Sequence, residues 1–391
     1  MKTTINRLNG FANSLFATDI YTVIICFLSI AAAFSHHKIT PLIIYACGIF
    51  IAVFKETQKE LFKFKSSYFA FAFLILSMLT AYFNNNTKGI SLSFLFLMIT
   101  VIGIYLRSKM TKELFEVMLN LICFCCIIVF IGCIISKIAN LNVPSYRSTL
   151  WFYNSNYLGS ILAGCILICA YKIATKKGKD IIYYLIAFGC AICLYFTGSM
   201  FAFLEVFTGV SVLLSLTKKH RLLRWFLAIC VFGLLFLYLV PEIFPRLSES
   251  NITTDNRILI WQDTIDHIPD SFIFGKGFFT YRTLTNVRYL TSHAHNFILE
   301  LLLSFGVVGT VLIGICFTLY FRSLIICNRL LRRSHINALI LAVGAAVLLH
   351  ATTDMTMLWS QTAIFYAVIM SGLGAEEKTV AKFRNAWRNQ L

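Results

Sequence analysis

Charge is what this sequence has least of. Of its 391 residues only 13% are charged, and acids are outnumbered by bases, 17 to 34. A soluble fold carries about a quarter charged residues to keep its surface wet, so so apolar a chain excludes an ordinary globular domain. Prolines number only five, which leaves long apolar stretches unbroken. The 13 cysteines sit mostly inside those stretches, as Cys123, Cys125 and Cys126 do, with no set spacing to histidines. They read as small hydrophobes, so neither a disulfide framework nor a metal site is expected. No internal repeat is visible, which argues against transporter folds built from repeated halves. Met1 to Thr18 is polar and basic, without the apolar core of a cleaved leader.

What fills the chain instead is hydrocarbon. Hydrophobic residues make up 59%, and mean hydropathy is +0.79. Runs of about 20 apolar residues match a bilayer core. The sequence predicts an all-α, polytopic membrane protein in a single domain, 1–391, with about 12 transmembrane helices. They fall near 19–35, 39–54, 67–83, 89–106, 115–136, 157–174, 181–197, 200–217, 224–241, 296–321, 335–352 and 358–375.

Basic residues orient these spans. Alternate loops hold Lys2 and Arg7, then clusters at Lys55–Lys65, Arg107–Lys112, Lys172–Lys179, Lys218–Arg224, Arg322–Arg333 and Lys378–Arg388, together 25 of the 34. The other loops share nine: Lys38, Lys88, Lys137, Arg147, Arg246, Arg257, Lys276, Arg282 and Arg288. Both termini are therefore expected in the cytoplasm. The net charge of +17 is explained by this bias, and nucleic acid is not expected as a partner. Segment 242–294 is the one long outward loop, edged or punctuated by Pro241, Pro245 and Pro269, and loops of that length are commonly functional. Within it Ile258, Trp261, Ile265 and Ile268 recur at helical spacing. Asp255 is the expected N-cap and Pro269 the stop of an amphipathic helix lying on the outer surface. Gly275-Lys276-Gly277 follows as a flexible turn, and Asn84-Asn85-Asn86 reads as low-complexity sequence.

The polar residues that such a cage can hold at its outer surface are few. His295 and Asn296 stand at the start of span ten, where free backbone N–H groups favour anions. A neutral imidazole there could take a proton from a hydroxyl, or could simply solvate a helix end. Asn296 adds an amide, and Glu300 lies one turn further on the same face. His293 reads as a loop bystander. Arg147 and Arg257 lie on the side where bases are disfavoured, and a planar guanidinium suits phosphate oxygens; Arg282 and Arg288 are further candidates, whereas Arg246 reads as a lipid-facing base. Glu205 and Asp354 are acids in or beside spans, for which ion pairing and catalysis are both open. Asn154 and Asn156 open span six, where a helix cap is the plain reading.

His295-Asn296, nine residues, then Gly306-x-x-Gly309 resembles the signature of the O-antigen ligase family of bacterial inner-membrane glycosyltransferases. Upstream, Arg257, Trp261, Pro269, Gly275 and Gly277 resemble that family's outer-loop run, and Arg147 with Asn154 and Asn156 resembles its Arg…Asn-x-Asn element. The resemblance spans Arg147 to Asp354. One departure is Thr197-Gly198-Ser199-Met200, where many relatives carry an arginine in place of Met200; Arg282 or Arg288 is the expected substitute. The resemblance implies transfer of a polysaccharide from undecaprenyl diphosphate to a sugar hydroxyl of lipid A–core at the periplasmic face, with inversion and without cofactor or metal. His295 would be catalytic and Arg147, Arg257, Arg282 and Arg288 would bind the donor diphosphate. Asn296, Glu300, Asn156 and Asp354 would support them. The related O-antigen polymerase activity stands as the nearest alternative, and a twelve-span transporter or lipid flippase as the alternative from another class.

Overall fold

The computed structural model describes residues 19–143, 146–175, 181–240, 250–331 and 334–388. Lys2, Arg7, Lys176, Lys177, Lys179, Pro241, Pro245, Arg246, Arg332 and Arg333, and the side chains of Asp255, Arg384 and Arg388, lie outside the described residues. Among the described residues there is helix and no strand. In chain order the helices are α1 (Ile20–Phe34), α2 (Thr40–Val53), α3 (Lys55–Leu61), α4 (Lys65–Phe83), α5 (Thr87–Lys109), α6 (Lys112–Ala139), α7 (Ser155–Thr175), α8 (Ile181–Thr197), α9 (Met200–Leu216) and α10 (His220–Leu239). Then come α11 (Ser250–His267), α12 (Phe297–Leu330), α13 (His335–Ala351), α14 (Ser360–Met370) and α15 (Leu373–Arg388).

Each of the twelve expected segments coincides with a helix, but the helices differ in reach. Six are long and apolar enough to cross a membrane, α4, α5, α6, α7, α10 and α12, and the bent pair α2–α3 would make seven. The shorter apolar helices α1, α8, α9 and α13 have 15 to 17 residues. The last predicted segment is split by Ser371-Gly372 into α14 and the polar α15. Side-chain caps start several helices where the sequence offers them: Asp19 on Tyr21, Asn86 on Gly89, Thr111 on Leu114 and Ser334 on Asn337.

The helices run up and down, so that their ends meet in two sets. On one face Gln361 donates to the Ser35 carbonyl, the Ser148 backbone to Phe196, and Asn86 to Phe278 and Lys276. On the opposite face ion pairs join Arg107 to Glu377, Lys109 to Glu60, Lys112 to Glu376 and Lys172 to Glu116. This is the face onto which the basic loops gather. The core between draws on α1, α2, α5, α6, α7, α8, α9, α13 and α14, with α7 buried along most of its length.

The long loop docks back onto the bundle. Its helix α11 buries Ile260 with Tyr281 and Leu303, and Trp261 and Ile268 pack alongside. Ile258 and Ile265, expected on the same apolar face, are instead exposed. The reason is polar: Asp263 is buried to accept the Arg288 backbone N–H at 2.7 Å and the Tyr281 hydroxyl at 3.1 Å, and this fixes which side of α11 faces inward. The helix also begins at Ser250, five residues before the expected cap, so Asp255 lies within it. Pro269 ends it as expected and opens a 3₁₀ turn.

Candidate active site

Asp354 is where the site is assembled. It follows α13, and its backbone N–H bonds to His350 O at 3.0 Å, which folds the segment back over the helix end. Its buried carboxylate is fully used. Oδ1 lies 3.1 Å from His295 Nδ1 and 3.2 Å from His293 Nε2, and Oδ2 accepts from Asn156 Nδ2 at 2.8 Å. Burial pushes this carboxyl up, but hydrogen bonds and charge from His293 and His295 outweigh it and hold it well below the usual carboxylate range.

With Nδ1–H of His295 assigned as donor to an ionised Asp354, Nε2 keeps its lone pair. That lone pair faces the Thr291 hydroxyl at 3.1 Å. Thr291 thereby marks a direction from which a hydroxyl can meet the ring. Asn296 and Glu300 hold the turn that presents His295. Asn296 caps α12, its Oδ1 accepting from Ile298 and Leu299 N–H, and its amide donates to Thr352 O at 3.1 Å. Buried Glu300 accepts from Ala294 N–H at 2.8 Å and from the Ser304 hydroxyl at 2.7 Å. His295 itself has φ +50, a left-handed conformation that costs about 1–3 kcal/mol in a non-glycine residue and persists only where neighbours enforce it.

His293, set aside from the sequence, belongs to this cluster. It is buried, stacks 4.2 Å from His295 and shares its carboxylate oxygen. The only sequence signal was the alternation His293-Ala294-His295, which reads as loop until Asp354 is placed. The three side chains offer atoms within 4.8 Å of one another, a spacing a metal ion could bridge. Asp354 Oδ1 already lies at hydrogen-bonding distance from both rings.

The arginines divide. Arg147 Nη2 donates to Asn156 Oδ1 at 2.8 Å and its Nε to Thr197 O at 2.8 Å, so Arg147, Asn156, Asp354 and His295 form one connected chain. Arg257 lies over the Phe201 ring, 4.8 Å from its centre. These two therefore border the Thr197–Phe201 turn on which Met200 replaces the expected arginine. Arg288 is committed elsewhere, to Gln262 Oε1 at 3.0 Å and Asp266 Oδ2 at 3.2 Å on α11, and Arg282 is exposed on the Thr280–Thr283 turn. Arg147 and Arg257 thus bring charge to the turn that carries Met200. Asn154 is a cap as expected, its Oδ1 accepting from Asn156 N–H at 2.9 Å.

Glu205 is buried on α9. Its Oε1 lies 3.1 Å from His350 Nδ1 and accepts from Ser160 at 2.9 Å, which ties α9 to α13 one turn beneath Asp354. Below the site, an apolar groove of about 470 Å³ opens between α5, α12, α13 and α14. It starts at Phe297, next to Asn296, passes Gly344 and reaches Phe321 and Met370. A second recess of about 270 Å³ shares Ile99, Phe317, Ala367 and Met370 with it and continues to Arg107 on the opposite face.

No curated protein matches the chain. A family model described as O-antigen ligase matches residues 184–314, a stretch that holds Arg257, Arg282, Arg288, His295, Asn296, Glu300 and both signature glycines, while Arg147, Asn156 and Asp354 join it in space. Over residues 184–314 the chain is therefore similar to the O-antigen ligase family.

Proposed function

We propose that this protein is an O-antigen ligase. It would transfer polysaccharide from undecaprenyl diphosphate to a sugar hydroxyl of lipid A–core at the periplasmic face of the bacterial inner membrane, with both termini in the cytoplasm. The observation that carries the reading is the Asp354–His295 pair, which leaves the Nε2 lone pair facing a hydroxyl, beside two arginines. About 12 spans, with 242–294 outside, bring that face to the periplasm, in keeping with the basic residues at the other.

In the reaction, the acceptor hydroxyl oxygen attacks the anomeric carbon while its proton moves to His295 Nε2. The bond from that carbon to the diphosphate oxygen breaks, and its electron pair leaves with the polyprenyl diphosphate. Attack from the side opposite the leaving group inverts the carbon. Asp354 steadies the imidazolium that forms, and His295 then gives the proton to water. Arg147 and Arg257 hold the charge developing on the diphosphate; Arg282, exposed near the same loop, and Arg288 are secondary candidates. Asn156, Asn296 and Glu300 position these groups. The polyprenyl chain lies in the apolar groove that starts at Phe297, which holds both lipid-anchored substrates at one depth. None of these steps calls for a metal.

Deletion of the gene followed by gel analysis of lipopolysaccharide tests this. Loss of all long-chain ladder, with lipid-linked polymer retained and activity of the purified protein persisting in chelator, is the expected result. A ladder reduced to a single repeat would instead make the protein a polymerase. An unchanged ladder would overturn both.

A further inference from the structure

Around the His–Asp cluster stand aromatic rings that the chemistry above does not use. Tyr153 and Trp359 stack nearly parallel, centres 4.8 Å apart and planes 14° apart. Tyr157 stacks on Trp359 at the same distance. Phe279 reaches Trp359 at 5.8 Å and lies over His293 at 6.4 Å. Each ring is fastened to a polar site residue. Tyr153 and Tyr157 flank Asn156, Trp359 follows Asp354 by five residues, and Phe279 covers His293.

Tyr and Trp commonly gather at membrane–water boundaries, and such belts face lipid headgroups one ring at a time. This group is different in arrangement. Tyr153, Tyr157 and Trp359 are stacked on one another with Phe279 tilted against Trp359, and Tyr153 is 60% exposed although Tyr157 is buried. A flat, backed, exposed π-face at a polar site suits one kind of surface: the C–H face of a sugar ring. Those hydrogens carry partial positive charge and settle on the negative face of an aromatic ring. Sugar hydroxyls then project sideways and need polar partners at the edge of the shelf. His37 meets the edge of Tyr153 at 5.7 Å, and exposed His36 stacks on His37 at 4.3 Å.

We propose that Tyr153, Trp359 and Phe279 form a stacking shelf for a pyranose ring of the glycan being joined, with His36 and His37 along its polar edge. The shelf seats that ring beside the His295 imidazole. This rests on the glycan-transfer reading and adds a subsite to it. A pyranose could belong to the acceptor oligosaccharide or to the sugar next to the donor diphosphate.

Two measurements on the purified full-length protein separate these cases. In the first, intrinsic fluorescence is followed during titration with lipid-free core oligosaccharide, and separately with a short-chain polyprenyl-diphosphate disaccharide. A saturable change that disappears in Trp359→Phe is expected with one of them, and that one is the occupant. In the second, transfer kinetics are compared for Tyr153→Ala, Tyr153→Phe and Trp359→Ala. Tyr153→Ala and Trp359→Ala should raise KM for the bound glycan about three- to tenfold with kcat changed less. Tyr153→Phe, which keeps the ring, should restore it. Wild-type transfer together with unchanged KM for both glycans in Tyr153→Ala would overturn the shelf and leave the ligase reading standing. Absence of transfer by the wild type would overturn both.

Discussion

Gly275 and Gly306 interlock. A Cβ on Gly275 would fall 2.2 Å from Ser304 O, and one on Gly306 would fall 2.5 Å from the Ile273 carbonyl. Gly306 has φ 60 and ψ −168, a break inside α12. The loop backbone fills that break: Lys276 and Gly277 N–H bond to Ser304 O, and Val307 and Val308 N–H bond to Phe272 and Ile273 O. The break frees carbonyl and amide groups, and the long loop satisfies them. The signature glycines therefore join the loop to the histidine helix. At Gly306 it is a loop that approaches closely, whereas Gly309 lies near Phe73 of α4, 3.7 Å from a Cβ placed there.

Substitution at either glycine should therefore disturb stability and activity together. Gly275→Ala and Gly306→Ala each meet backbone, which cannot swing away as a side chain can. A loss of about 1–3 kcal/mol is expected, with reduced transfer at equal protein level. Thermal unfolding in detergent beside an activity assay measures both. Alanine at Gly314, whose Cβ would meet nothing within 4 Å, serves as the neutral comparison. Equal behaviour of Gly306→Ala and Gly314→Ala would defeat the interlock.

Asp354 carries a pH signature. Its folded pKa is depressed, so the stability it contributes is present above the ordinary carboxylate value of about 4 and is lost only as pH falls through the lower folded value. Asp354→Asn should therefore lower the unfolding temperature at pH values above the ordinary carboxylate range, with the gap narrowing in stronger acid. Activity should fall about 10²-fold or more, because the amide cannot stabilise an imidazolium. A gap that widens as pH falls would contradict the sign.

The arginine assignments make a graded forecast. Arg147→Ala and Arg257→Ala should each cost about 10²–10³ in kcat, the usual scale for losing one preorganised donor. Arg147→Lys should recover little, because a single ammonium cannot bond both Thr197 O and Asn156 Oδ1 in fork geometry. Arg288→Ala should act mainly through loop stability, given its bonds to α11. If Arg288→Ala abolished transfer while Arg147→Ala did not, the diphosphate would lie on the loop and not beside Met200.

Hydropathy and charge made the helical cage and its alternation legible, because both depend on composition alone. His295, Asn296 and the arginines on the sparsely basic side stood out as polar groups in an apolar chain. What escaped was anything decided by distant contacts. Asn86 lies in a run of asparagines that reads as low complexity, yet its amide clamps the carbonyls of Lys276 and Phe278, some 190 residues away in sequence. Ile258 and Ile265 fit a helical stripe, but a buried Asp263 turned α11 the other way. The aromatic shelf has no sequence spacing at all, since Tyr153, Phe279 and Trp359 come from three separated segments.

The groove under Phe297 gives a prediction that depends on chain length. A Cβ at Gly344 would meet only Phe321, at 3.8 Å, so the space beside it is open. Gly344→Leu should fill part of the groove without disturbing the bundle. Transfer from a donor with a full-length polyprenyl chain should fall about tenfold, at near-normal unfolding temperature. A donor with two or three isoprene units should be used as well as by the wild type. An equal loss with both donors would place the lipid elsewhere.

His295 and His293 share one oxygen of Asp354, and their difference lies in what remains on each ring. The His295 side chain is partly exposed and its Nε2 faces Thr291, where a hydroxyl can arrive. His293 Nδ1 is buried with no hydrogen-bond partner among the described residues, so that ring has no route to a substrate proton. His295→Ala should therefore abolish transfer, at about 10²–10⁴ in rate, while donor accumulates and protein level holds. His293→Ala cannot be silent, as a distant loop residue would be. It removes one of three donors to Asp354 and leaves a gap beneath Phe279, so an intermediate loss of about tenfold is expected. His293→Gln should recover part of it, because its amide can donate to the same oxygen. The assignment is tested by comparing all three variants in purified form at one pH. If His293→Ala were the dead variant and His295→Ala the partial one, the two rings would have exchanged roles, and the base would be the buried histidine reached through a moved loop.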